Sequence, residues 1–281
     1  MKIAIIGLGF VGNSMFNVLS KKTDVIGYDK YKNIGNIEEC LESDIVFLAL
    51  PTTYNDRLGE YDKMAILETC DYLLKQQYNG TVVIKSTVEP ETTNKLSTIY
   101  KELHFVHNPE FLTARTAEKD FENQQHIVLG RGYGCSEKNY QLLIDFYKEH
   151  FPNAEISQCN AFESESMKIY CNSFYAVKVQ FFTELYLLCE KNKSDFNIIS
   201  SMMLKNNWIN PMHTKIPGPD GSISYGGLCF PKDTNALNKY MTKYNSDNMI
   251  LDACIKERNK MRDDHMNCNN DEKALIVLNH L

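Results

Sequence analysis

The chain has 281 residues, 43% hydrophobic and 23% charged, with a formal net charge of −6. That profile suits a globular protein long enough for two domains. It lacks the dense basic stretch expected of nucleic-acid binding and any apolar run long enough to span a membrane. The nine cysteines (Cys40, Cys70, Cys135, Cys159, Cys171, Cys189, Cys229, Cys254 and Cys268) are irregularly spaced, with no C-x-x-C pair. Neither a disulfide framework nor a zinc site fits, so reduced thiols and a cytoplasmic location are expected. The seven histidines (His104, His107, His126, His150, His213, His265 and His280) show no metal-ligand spacing, and no metal is expected.

Residues 2–6 are apolar and read as a first strand rather than a signal peptide, because glycines follow and no small-residue cleavage pattern does. The run ends in Gly7-Leu8-Gly9-Phe10-Val11-Gly12, followed by an apolar helix through Met15, Phe16, Val18 and Leu19. A second strand over 24–28 ends at Asp29. A bare G-x-G-x-x-G is a weak signal, but a strand before it, a helix after it and an acid at the next strand end strengthen it. The segment from Gly7 to Gly12, Phe10 and Val11 included, would seat a pyrophosphate on the helix N-terminus. Asp29 would accept hydrogen bonds from the adenosine ribose and repel a 2′-phosphate, which favours NAD over NADP.

The alternation continues. Strands are expected at 45–50, 81–85, 104–107, 127–130 and 154–157, with helices at 62–77 and 137–149. Pro51 and Thr52, Ser86 and Thr87, and Glu110 all fall at strand C-terminal ends, where such sheets hold ligands. Residues 162–192 contain no Gly or Pro and read as one long helix, with Lys168 and Asn172 on one face near its start. Phe174, Phe181, Phe182, Leu185 and Leu188 give it more apolar surface than one surface helix buries, which suggests several packed helices or a second subunit. Ser194-Asp195 would cap the next helix. A charged helix over 246–266, a polar break at 267–271 and a short apolar tail close the chain.

The stretch Y-G-G-L-C-F-P-K-D, from Tyr225 to Asp233, stands out. Gly226 and Gly227 permit close backbone approach to a ligand, and Pro231 suits the first turn of a helix through Lys243. Cys229 would then lie just ahead of a helix N-terminus with Lys232 beside it, both favouring thiolate. Asp233, one turn further, could position a water or a proton. A buried structural cysteine after a turn is the plain alternative.

Together, G-x-G-x-x-G, S-T-V-x-P, N-P-E-F-L, K-x-x-x-N and G-G-L-C-F-P-K-D resemble the UDP-glucose/GDP-mannose dehydrogenase family, over roughly residues 1–265. The resemblance implies two hydride transfers to NAD that convert a nucleotide sugar's C6 alcohol to a carboxylate. It implies Cys229 as nucleophile, Lys168 and Asn172 at the oxyanion, Asp233 and Thr87 organising water and protons, and Glu110 assisting thioester hydrolysis. It places Phe111, Leu112, Lys168, Asn172 and Gly226 at the substrate. At the cofactor it places Gly7, Gly9, Phe10, Val11, Gly12, Asp29, Pro51, Thr52, Thr87 and Lys232. A homodimer through the long helix is expected.

The expected fold is α/β: an N-terminal Rossmann-type doubly wound parallel sheet (1–160), followed by an all-helical domain with one long central helix (161–281). The chain departs from the family pattern in three places. The segment from Asp29 to Ile45 is short, and Ala114 stands where the family has a second glutamate. The chain also stops about where a further nucleotide-binding domain would begin. Two other readings stay open: a two-electron hydroxyacid dehydrogenase of the 6-phosphogluconate type, and a non-catalytic NAD-binding subunit that needs a partner.

Overall fold

The computed structural model describes residues 1–262, which form two compact units. The first contains Met1–Thr52 and Tyr61–Lys168; the second contains Thr53–Glu60 and, among the described residues, 169–262. In chain order the first elements are β1 (Lys2–Ile6), α1 (Phe10–Leu19), β2 (Asp24–Tyr28), a 3-10 turn (Glu39–Glu42) and β3 (Ile45–Leu48). There follow β4 (Tyr54–Asn55), β5 (Glu60–Tyr61), α2 (Met64–Lys75), β6 (Thr81–Ile84), α3 (Thr92–Ile99) and β7 (His104–His107). Next come α4 (Ala117–Glu122), β8 (His126–Arg131), α5 (Glu137–His150) and β9 (Glu155–Asn160). The helices α6 (Ala161–Asn192), α7 (Phe196–Leu204), α8 (Phe230–Lys243) and α9 (Met249–Met261) complete the described chain.

Seven strands form one sheet in the order β2-β1-β3-β6-β7-β8-β9, parallel except where β7 meets β8. Its central strands β1, β3 and β6 are apolar at nearly every position because both faces are covered. Ile3, Ile5, Phe47 and Val83 point to the side of α1 and α5, where they meet Met15, Leu19, Phe146 and Tyr147. Their sequence neighbours Ala4, Ile6, Val46, Leu48, Val82 and Ile84 face α2 and α3, against Ile66, Cys70, Leu73 and Leu96. Each fully buried large side chain contributes roughly 1.5–3 kcal/mol. The strand order reverses between β1 and β3, which opens a crevice at their C-terminal ends.

The short segment between β2 and β3 holds an antiparallel bridge, Asp29 to Ile34, and the 3-10 turn instead of a full helix. The sequence reading passed over α3, α4 and the β4–β5 pair. In α3 the sequence TTNKLSTI is polar and β-branched, so its intrinsic signal is weak. It is held by burial of Thr93 and Leu96 and by a distant carboxylate described below. The cap of α7 is Asp195, whose carboxylate accepts from the amides of Asn197 and Ile198 at 2.8 and 3.2 Å. His265, Cys268, His280, the end of the expected last helix, the break at 267–271 and the tail lie outside the described residues.

Candidate active site

The nucleotide end of the first unit is built mainly from backbone. Gly7 has φ +92°, and a Cβ there would lie 2.5 Å from the carbonyl oxygen of Ala49. A Cβ on Gly12 would sit 1.8 Å from the oxygen of Gly7. The fold itself therefore demands both glycines. Gly9 differs: a Cβ there meets nothing within 4 Å, so the protein leaves open space over it. Gly9 is also the N-cap of α1 and supplies no side-chain cap, which leaves the first amides of the helix to an outside acceptor. That geometry suits a pyrophosphate, with exposed Phe10 and half-buried Val11 on its first turn.

Asp29 is held by three amides: Leu8 N donates to Oδ2 at 2.9 Å, and Tyr31 N and Lys32 N to Oδ1 at 3.0 and 2.9 Å. Oδ2 keeps acceptor capacity for a ribose hydroxyl. Lys32 Nζ turns to the oxygen of Leu8 at 2.5 Å, and Lys30 pairs with Glu68 at 3.4 Å. Both lysines thus have partners within the protein, and the carboxylate sets the character of the site. A cavity of about 200 Å³ beside Asp29 is lined by Gly7, Tyr31, Pro51, Ala65 and Tyr72. These residues fit an adenine dinucleotide without a 2′-phosphate. The loops that end β3 and β6 are tied together beyond it. Thr52 Oγ1 donates to Thr87 O at 2.8 Å, and Ser86 Oγ donates to Leu50 O at 2.7 Å.

Also in the first unit, Lys168 Nζ donates to the backbone oxygen of Glu110 at 2.5 Å and meets its Oε1 at 3.1 Å. Both side chains are buried, and the ammonium lies 5.2 Å from the ring centre of Phe111. Glu110 Oε2 accepts from Leu112 N at 2.6 Å, so both carboxylate oxygens are engaged. Two further buried groups were not singled out from sequence. Lys85 donates to Asn108 Oδ1 and Pro109 O. Glu165, one turn before Lys168 on α6, accepts from Thr93 N at 2.7 Å at the start of α3. Burial pushes the Glu165 carboxyl up to about 8.

In the second unit, Cys229 is exposed and is the N-cap of α8, with Pro231 in the first turn. The amide of Asp233 donates to Cys229 O at 3.0 Å, which closes that turn. Asp233 is fully buried and held from both sides. Asn172 Nδ2 donates to Oδ2 at 2.6 Å and Lys232 Nζ to Oδ1 at 2.5 Å. Lys232, expected at the cofactor, thus spends a hydrogen bond on Asp233. Phe230, next to the cysteine, packs on Tyr175 and His213 with ring centres 6.2 and 5.2 Å away.

The preceding loop is clamped by α9. Arg258 Nε donates to Tyr225 O at 3.2 Å, and Arg262 donates to Ile223 O, Ser224 O and Asp220. A Cβ on Gly226 would lie 2.4 Å from the Arg262 guanidinium, so that glycine makes room for the clamp. Gly227 has φ +80° and open space around it. The i, i+4 spacing of Arg258 and Arg262 was a signal available in the sequence. Among the described residues no group of His, Cys, Asp and Glu could hold a metal ion, and no helix is long and apolar enough to cross a membrane.

A mostly parallel sheet with a glycine turn at its crevice, followed by helices that set a cysteine at a helix N-terminus, defines a Rossmann-type architecture. Comparison with known proteins makes it specific. Residues 35–151 match the NAD binding domain of the UDP-glucose/GDP-mannose dehydrogenase family, and residues 162–260 match its central domain. The chain belongs to that family. It is 32% identical over 251 residues to the UDP-glucose 6-dehydrogenase of Rickettsia prowazekii, covering 84% of this chain and 54% of the relative. The chain spans about half the length of the curated relatives it matches.

Among solved structures, a UDP-glucose dehydrogenase from the archaeon Pyrobaculum islandicum superposes with TM-score 0.80 at 23% identity, over 92% of this chain and 68% of that one. Mycobacterium tuberculosis 3-hydroxyisobutyrate dehydrogenase gives TM-score 0.73 at 17% identity, over 94% of both chains. At those identities the likeness shows the fold. The glycine motif and Asp29 precede the matched residues, so their assignment rests on the local geometry above.

Proposed function

We propose that this chain carries out the NAD-dependent oxidation of a nucleotide sugar's C6 alcohol to the carboxylate, with Cys229 as covalent nucleophile. NAD, when bound, accepts a hydride in each of two oxidations. The first converts the alcohol to an aldehyde, which the thiolate of Cys229 attacks to form a thiohemiacetal. Loss of the second hydride leaves a thioester, and water displaces the thiolate to give the acid. The balance is one alcohol, two NAD and one water to one carboxylate, two NADH and three protons.

Lys168 and Asn172, one helical turn apart on α6, donate to the oxygen that becomes negative. Asp233, with Thr87, organises water and protons, and Glu110 assists thioester hydrolysis. Phe111, Leu112 and Gly226 contact the sugar, and the cofactor is held from Gly7 to Asp29 and at Pro51 and Thr52. Residues 1–160 serve as the cofactor domain and 161–281 as the helical domain. The exposed Phe174, Phe181 and Leu188 of α6 support a homodimer through that helix, and a monomer in sedimentation would count against it.

The observation that carries this reading is the start of α8, where an exposed thiol stands at the N-cap position and the buried Asp233 is held by Asn172 and Lys232. The test is NADH formation from NAD and UDP-glucose, with acid counted against NADH. Two NADH per acid are expected, and Cys229→Ala should lower acid formation by about 1,000-fold or more. One NADH per substrate, unchanged in Cys229→Ala, would instead favour a two-electron hydroxyacid dehydrogenase. NAD binding without turnover on any nucleotide sugar would favour a subunit that depends on a partner.

A further inference from the structure

Lys85 directly follows β6 and is only 2% exposed. Burying an ammonium carries a large desolvation cost that Met or Leu at the same place would avoid. Its two acceptors are neutral: Asn108 Oδ1 at 2.8 Å and Pro109 O at 3.2 Å. Burial pulls the amine down to about 7, with the Glu110 charge resisting and Lys168 adding to the fall.

We propose that Lys85 is a positioning residue for Glu110, pinning Asn108 and Pro109 so that the Glu110 carboxylate stays turned to Lys168. Asn108 is a rigid anchor. Its amide donates to Ile84 O at 2.9 Å, its Nδ2 to Val128 O at 2.8 Å, and the Tyr147 hydroxyl bonds the same Oδ1 that Lys85 holds. With Pro109 O also held, the chain enters Glu110 in one direction. The Leu112 amide and Lys168 then fix its two carboxylate oxygens. A carbonyl and a side-chain amide facing each other across a strand end need a donor between them; a hydrocarbon would take that donor from Pro109 O and leave Asn108 Oδ1 to Tyr147 alone. Lys85 supplies at least two N–H groups in either protonation state, so it performs this task on both sides of its titration.

The catalytic consequence rests on the reading that Glu110 assists thioester hydrolysis, so the test has two independent readouts on the full chain. Lys85→Met removes the donors, while Lys85→Gln keeps two N–H donors on a shorter side chain and no charge. The first readout is competitive acetylation of Lys168 by acetic anhydride, measured by peptide mass. If Glu110 drifts, Lys168 should react about fivefold faster in Lys85→Met than in wild type, with Lys85→Gln between them. The second uses UDP-glucose and NAD with rapid quenching. Lys85→Met should accumulate acyl-Cys229 and slow steady turnover roughly tenfold to a hundredfold, while the first NADH forms at the wild-type rate.

Unchanged Lys168 reactivity in a folded variant overturns the proposal. Failure of both variants to fold, seen as loss of a cooperative thermal transition, makes Lys85 purely structural and overturns it too. A wild type that forms neither NADH nor acyl-enzyme refutes the hydrolysis role of Glu110 instead, and acetylation still decides the positioning.

Discussion

The glycine turn at the end of β1 and the start of α8 handle charge with opposite materials. At the first, the groups on offer are backbone amides, and the side chains that matter are the ones missing at Gly7, Gly9 and Gly12. At the second, a fully buried carboxylate, Asp233, is balanced by Lys232 and Asn172 beneath an exposed thiol. A backbone site is damaged by adding one atom. A site of paired charges is damaged by taking one partner away, because the other is then left buried without compensation.

The glycines allow the first half of that contrast to be broken. Gly12→Ala would place a Cβ 1.8 Å from the oxygen of Gly7, so the turn must open. A loss of at least about 3 kcal/mol in urea unfolding is expected, together with loss of NAD binding. Gly9→Ala meets no protein atom within 4 Å. Its unfolding midpoint should stay close to wild type while NAD affinity falls roughly tenfold or more, read by titration calorimetry. Equal effects of the two substitutions on stability would refute the division between a glycine the fold needs and one the ligand needs.

Legibility follows the same contrast. The strands of the seven-stranded sheet, α1, α5, α6 and α8, the glycine turn, Asp29 and the helix-capping position of Cys229 could be read because period, apolar runs and Gly or Pro punctuation are local signals. The roles of Lys85, Glu165, Arg258 and Arg262 could not, because they depend on partners 23 to 72 residues away; the i, i+4 spacing of the two arginines marks a shared face but not what it holds. A lysine before Ser86 looks like any strand-end lysine until its burial is known. The α3 helix was missed for a related reason: its N-terminus is satisfied by Glu165 from another helix, not by a residue of its own.

Glu165 tests the charged half of the contrast within the first unit. Its carboxyl is raised from 4.5 to about 8, chiefly by burial, so the folded state keeps a proton that the unfolded chain releases. For a carboxyl raised in this way, the stabilisation is complete below about 4.5 and is lost as pH climbs toward about 8. Glu165→Gln keeps a neutral acceptor for Thr93 N and does not titrate. Relative to wild type, the variant should gain roughly 2 kcal/mol between about pH 5 and about pH 9, measured by urea unfolding at each pH. Parallel pH profiles for the two proteins would show that Glu165 is not the protonated cap of α3.

The smallest expected effect lies at the same helix and separates backbone strain from charge. Glu91 is the N-cap of α3 at φ +82°, a left-handed conformation that glycine adopts without cost, and it provides no side-chain cap. Its carboxylate makes a surface pair with Lys95 at 3.6 Å, one turn along the helix. Such exposed i, i+4 pairs are worth about 0.3–0.5 kcal/mol, whereas holding a non-glycine residue left-handed costs about 1 kcal/mol or more. Removing the strain should therefore outweigh losing the pair. Glu91→Gly is expected to raise stability by about 0.5 kcal/mol, and Glu91→Ala, which keeps the strain and loses the pair, should lower it slightly. If Gly and Ala move the unfolding midpoint together, the charge governs this corner and the backbone does not.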